Sequence, residues 1–422
     1  MNEQPLPASV AAPAGQRVVS SALNFWFRRP PRLHGENNPD RTVSFLELLY
    51  DLVFVVLIGQ AAYPLAHEPS WRHLADFAVV FSLIWLAWLN GSLFHEGHGR
   101  EDGRGRNNIF GQMTILVVLA VFVARATGED ARPFAATYAV LLCWIAWQWN
   151  QVRCHDTVPI YRKIAAGYIA MLVVGIGLMA ASTLVTDTAR LILWVLTLFI
   201  NLAVPIFNAI REPERPLGLP PTESMAERFS LLAIIVMGEV VVGVVNGINS
   251  AQRDVLVIVT AVLALGTGFG FWWNYFDLLG RRPSRPTQRA FTVWVLAQLP
   301  LTGSIAALGA GMVGVIHHAH SPQMSRGSGW LMAGSSATVL VMVAVLTTTL
   351  DYRPLFKRIL SRIQLLLLAG AVASLAVGVL LPPAWLLTLL LALVHQAVWW
   401  SAFVQLAKHT QIFTSGRSHS EA

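Results

Sequence analysis

The chain has 422 residues, of which 55% are hydrophobic and only 13% charged, with a mean hydropathy of +0.55. A soluble domain carries about 25% charged residues, so this chain lacks the charge to cover a water-facing surface of its size, and a soluble enzyme or binding module is excluded. The net charge of +7 and pI of about 9.8 do not point to nucleic acid, because no contiguous soluble basic domain exists to carry such a contact.

In chain order, residues 1–43 form a Pro-, Ala- and Arg-containing leader without an apolar core beside a small-residue cleavage site. A disordered cytoplasmic leader is expected there rather than a secretory signal. Twelve apolar runs follow, each of about 20 residues or more and long enough to cross a hydrocarbon core of about 30 Å. They are residues 44–66, 72–94, 107–126, 133–152, 162–184 and 188–210, then 226–248, 253–279, 290–317, 328–350, 363–381 and 384–407. The expected fold is an all-α integral membrane protein with both termini in the cytoplasm. With that orientation, 24 of the 30 Lys and Arg residues lie on the leader, the tail (408–422) and alternate loops, and 6 on the opposite side. A missed or invented helix would destroy this alternation. The chain is therefore expected in an inner (cytoplasmic) membrane, with the lipid bilayer as its surroundings.

The Pro-rich loop 211–225 divides six helices (44–210) from six (226–407). Helix 2 ends Trp88-Leu89-Asn90 and helix 8 ends Trp272-Trp273-Asn274, while Glu47 opens helix 1 and Glu227 opens helix 7. These echoes raise a parallel six-helix repeat, related by an axis along the membrane normal. Glycines crowd helices 8 and 9, where they mark either tight packing or, with Pro300 expected to kink helix 9, a discontinuous helix at a substrate site.

Charge inside lipid costs about 2.5–3.5 kcal/mol per group on insertion scales, so acidic residues in the spans stand out. Glu47 and Asp51 share a face of helix 1, and two carboxylates so close either share a proton or are neutralised by Arg41 or by an arginine of another helix. Glu239 lies near the bilayer centre on helix 7, a candidate proton or cation site. Asn90, Gln112, Glu227, Arg228, Asn274 and Asp277 fall near the same membrane edge as Glu47 and Asp51, outlining a candidate polar pathway between the halves. His395 and Gln396 read as satisfied structural groups in helix 12. His95 and His98 read as solvated loop histidines beside helix 2, as do His317, His318 and His320 after helix 9. Neither set has metal-site spacing, so no metal is expected. Cys143 and Cys154 read as two unpaired thiols. No nucleophile elbow, phosphate-binding loop or zinc-protease motif occurs, and no cofactor is implied.

Val43-Ser44-Phe45-Leu46-Glu47-Leu48-Leu49-Tyr50-Asp51-Leu52-Val53-Phe54-Val55 resembles the opening signature of bacterial low temperature requirement A (LtrA) proteins, with Leu49 and Tyr50 in place of the usual aromatic pair. Glu227-Arg228-Phe229 followed by Ile234-Ile235-Val236-Met237-Gly238-Glu239 is similar to a second motif of that family. Asp102 and Arg106, with Gln112-Met113 following, match a third, taken as a structural loop motif. The resemblance spans helices 1 to about 9 and implies a role linked to growth in the cold, without supplying a substrate.

The leading functional reading is a transporter or ion pathway for a small solute or ion, with intramembrane carboxylates coupling a proton or cation. The alternatives are an intramembrane enzyme acting on a lipid or isoprenoid-linked substrate, with the same carboxylates as acid and base, and a non-catalytic membrane sensor or scaffold. The catalytic reading is the less favoured.

Overall fold

In the computed structural model the described residues are 26, 30–33, 36, 43–215, 217, 221–280, 282–321, 324–351 and 357–418, with side chains described to residue 408. Among them the chain forms twelve helices and no strand. These are α1 Phe45–His67, α2 Trp71–His98, α3 Gly103–Val123, α4 Ala131–His155, α5 Pro159–Ser182 and α6 Asp187–Arg211, then α7 Glu223–Ser250, α8 Val255–Leu278, α9 Gln288–His317, α10 Arg326–Thr347, α11 Lys357–Leu380 and α12 Ala384–Ser418.

Eleven of these helices are long and apolar enough to cross a membrane. The twelfth, α4, matches the others in length but is diluted by Arg132, Gln148, Asn150, Gln151 and Arg153. All twelve apolar runs of the sequence are helices, and the edges move for local reasons. Asp102 caps α3 by accepting the Gly105 N–H at 2.7 Å, and Thr222 caps α7 by accepting the Met225 N–H at 3.0 Å, so both helices start earlier than hydropathy suggests. Pro159 occupies the first turn of α5, where its missing N–H costs nothing. The α12 backbone stays helical to Ser418, well into the segment taken as a tail.

The first six helices and the last six pack in matching patterns. In the first set, α1 lies on α2 and α3, α3 on α4, α4 on α5, α5 on α6, and α2 on both α4 and α6. In the second, α7 lies on α8 and α9, α9 on α10, α10 on α11, α11 on α12, and α8 on both α10 and α12. The sets meet where α1 packs on α7 and α9, and where α6 and α2 reach α9. Glycines permit the closest approach. A methyl group on Gly243 of α7 would overlap the carbonyl oxygen of Gly309 on α9, so the two backbones touch. Despite Pro300, α9 runs unbroken from Gln288 to His317. The packing reading of the glycines therefore holds, and the discontinuous-helix reading is corrected.

Candidate functional site

The site is built from the start of α1. Ser44 accepts the Glu47 N–H at 3.3 Å while the Glu47 carboxylate accepts the Ser44 N–H at 3.1 Å, a reciprocal cap that fixes Glu47 on the first turn. One turn on, Asp51 lies on the same face, and the two are 5% and 0% exposed. Their counter-charge comes from α7. Buried Arg228 places one guanidinium nitrogen 3.6 Å from Glu47 Oε1 and the other 3.3 Å from Asp51 Oδ1. Trp88 of α2 donates its indole N–H to the same Asp51 oxygen at 2.8 Å. Two carboxylates and one guanidinium thus join the first helices of the two six-helix sets. Arg41, the other sequence-based candidate for this neutralisation, lies outside the described residues.

Around this ion cluster, buried polar atoms converge without protein partners. Tyr50 Oη, Asp51 Oδ2, Asn90 Nδ2, Ser92 Oγ, Arg228 Nε and both amide atoms of Gln112 have no hydrogen-bond partner among the described residues. Tyr50 Oη and Gln112 Nε2 both crowd the position a Cβ would take on Gly91, so only glycine fits at that point of α2. Asn90 uses one atom, accepting the Tyr168 hydroxyl from α5. Buried polar groups in folded proteins are satisfied by protein or by water, so this cluster of atoms from α1, α2, α3 and α7, hereafter the polar chamber, is one that water would complete. Beside it lies a cavity of about 1120 Å³ lined by Glu47, His95, His98 and Gln148, with Arg100, Arg104 and Arg106 further out. The Gln148 amide, 1% exposed, also lacks a partner among the described residues. Glu47 and His95 form the wall that cavity and chamber share.

The remaining sequence candidates divide. Asn90 and Gln112 join the cluster. Glu239 does not: it lies about 16 Å beyond Arg228 along α7, at 1.5 Å per residue. It is half-buried, and its carboxylate oxygens stand 2.9 and 3.1 Å from the point a Cβ on Gly59 of α1 would occupy. No hydrogen bond or ion pair reaches it among the described residues. Glu239 therefore shares the α1–α7 seam with Asp51 and Arg228 but stands apart from their cluster. Glu227 is half-buried and points about 100° away from Arg228 round the helix. Asn274 is buried on α8, donating to the carbonyls of Gly270 at 2.7 Å and of His395 at 3.1 Å. Asp277 is exposed and accepts the Trp399 indole N–H at 2.6 Å. Asp102 is the α3 cap, and Arg106 extends over the Trp26 ring, 5.5 Å from its centre.

One reading is overturned. His95 and His98 are not solvated loop residues, because α2 runs on through His98 and both are buried, 3% and 4% exposed. His95 packs edge-on to Tyr50, with ring centres 5.7 Å apart, and His98 donates its Nδ1–H to the Arg32 carbonyl at 2.8 Å. His395 is fully buried, but both of its ring nitrogens lack partners among the described residues, contrary to the satisfied histidine expected. Cys143 and Cys154 are both free and exposed. Sequence reasoning missed Tyr50, Trp88, Ser92 and Tyr168 as members of the cluster. The polar run Asn90-Gly91-Ser92 inside an apolar helix was the available signal for Ser92.

A bundle of helices, eleven of them long and apolar enough to cross a membrane, defines a multi-pass membrane protein. Residues 42–399 match the family model for the bacterial low temperature requirement A protein (LtrA), and the chain belongs to that family. It is also 23% identical over 300 residues to the uncharacterized protein RA0937 of Rhizobium meliloti (strain 1021), covering 66% of this chain and 71% of that one.

Proposed function

We propose that this LtrA-family chain is a proton- or cation-coupled transporter of the bacterial inner membrane, built as two six-helix repeats with both ends in the cytoplasm. The observation that carries the reading is the set of unpartnered buried polar atoms around the Asp51–Arg228 pair. A closed structural ion pair would have its remaining lone pairs and protons satisfied, whereas this one faces a chamber fit for water or a small polar solute. Glu47 is the step between the cavity and the chamber, and Asp51 with Arg228 is the coupling pair. Glu239, on the same α1–α7 seam, is the next carboxylate across the bilayer. The matched packing of the two sets supports the duplication, and α1 and α7, first helices of each set, meet as repeat-related elements do.

The test uses the full chain in proteoliposomes, with an internal pH dye and a potassium-diffusion potential. The wild type should carry protons inward. Asp51→Asn should abolish that flux and Glu239→Gln should reduce it, with both variants inserting and eluting as the wild type does. Flux equal to wild type in Asp51→Asn would end the proposal.

A further inference from the structure

The second large cavity of the bundle lies away from the ion cluster, at the end where α2 and α10 begin. It has a volume of about 910 Å³ and lies between α2, α9 and α10. Its floor is mostly apolar, with Ser304 and Ser335 among the polar exceptions. The Ser82 hydroxyl donates to the Ala78 carbonyl at 2.6 Å, and that of Thr338 to the Gly334 carbonyl at 2.8 Å, so both hydroxyls are spent on their own helices. Phe77, Phe81 and Pro300 supply much of the remaining wall. The groove runs from Arg326 to Thr338, about 18 Å at 1.5 Å per residue, slightly more than one leaflet of a hydrocarbon core about 30 Å thick.

Its mouth differs from its floor. Arg326, on the first turn of α10, lines the mouth and forms no ion pair or hydrogen bond among the described residues. Trp71 and Trp330, 80% and 38% exposed, flank it. Indole rings are amphipathic and prefer the headgroup level of a bilayer. A cation and two exposed indoles lining the same leaflet-deep, mostly apolar groove are complementary to an anionic headgroup joined to an acyl chain.

We propose that this groove is a binding site for an anionic phospholipid, with one acyl chain between α2, α9 and α10 and the headgroup phosphate on Arg326. A soluble anion would leave the channel unfilled, and a zwitterionic lipid would bring its own cation to Arg326.

The experiment is native mass spectrometry of the full, delipidated chain, titrated with phosphatidylglycerol or phosphatidylcholine of identical acyl composition. The wild type should hold phosphatidylglycerol about fivefold more tightly, the effect of one basic residue on an anionic lipid. Arg326→Ala should abolish the preference and leave chain-dependent binding in place. Gly334 also lines the groove and has open space where a Cβ would stand. Gly334→Leu should therefore fill the channel without disturbing the fold and weaken both lipids together. Equal binding of the two lipids by the wild type, or lipid binding unchanged in Gly334→Leu, would overturn the proposal. Circular dichroism of both variants, matched to the wild type, keeps loss of binding distinct from loss of fold.

Discussion

Asn90 on α2 and Asn274 on α8 are both buried amides towards the end of the second helix of their six-helix set, and their surroundings differ. Asn274 is closed in by carbonyls and by α12, which approaches so closely that a Cβ on Gly270 would overlap that of His395. Its Oδ1 and both His395 ring nitrogens are also buried without partners among the described residues, but no buried carboxylate or guanidinium of α8 or α12 stands with them. Asn90 stands beside a buried guanidinium, two carboxylates and a ring of polar atoms without protein partners. A buried amide thus sits among neutral groups in one set and beside a buried ion cluster in the other. A polar side chain in a span is therefore weak evidence of function alone, and convergence of several unsatisfied groups is stronger.

The sharpest way to break this contrast is to remove the central cation. Arg228→Leu leaves Asp51 and Glu47 buried without their counter-charge, and the expected loss is about 3–5 kcal/mol, read as a lower melting temperature in detergent. Asp51→Asn added to Arg228→Leu should recover part of it. If the single variant melts like the wild type, the cluster is not the buried charge site described. On the α8 side, Asn274→Ala removes two hydrogen bonds and should cost about 1–3 kcal/mol, with proton flux unchanged. Flux lost in Asn274→Ala at preserved stability would erase the distinction between the two regions.

Much of the fold was legible because hydropathy and arginine alternation are properties of whole segments, and lipid imposes them on every span. The acidic members of the site were legible for a related reason, since Glu47, Asp51 and Glu239 are too costly in hydrocarbon to pass unnoticed. The aromatic members were not. Tyr50 and Trp88 carry one polar atom each on a large apolar body, and nothing in the sequence says whether that atom faces an interface or an ion. Arg228 was seen as an edge residue, but its pairing with Asp51, 177 positions away, and with Glu47 is tertiary information. The misreading of His95 and His98 had a local cause. Hydropathy falls at Phe94, whereas the backbone hydrogen bonds of α2 continue another turn, to the cap at Gly99.

A subtler test separates chamber from packing within the first set. Gln112 is fully buried, and neither amide atom has a protein partner. Replacing it with leucine, similar in volume, removes no protein hydrogen bond, so a stability change below about 1 kcal/mol is expected. If the amide serves a hydrated pathway, proton flux should fall severalfold in Gln112→Leu. Raised stability with full flux would make the chamber a dry structural pocket.

The smallest effect belongs to the opposite end of the bundle, where charge is solvated. Asp254 caps α8. The Val257 N–H that it accepts at 3.0 Å, followed by the nearby His320, holds its carboxyl below the usual carboxylate range. A lowered carboxyl contributes stability above its unfolded-state value, and that contribution is lost as pH falls through the folded-state value. The melting temperature should therefore decline slightly from about pH 5 downward, and Asp254→Asn should flatten that limb, since asparagine caps a helix without titrating. Because the pair is solvated, salt screens the His320 share and leaves the capping share. An acid limb that survives unchanged in Asp254→Asn would show that this cap is not its origin.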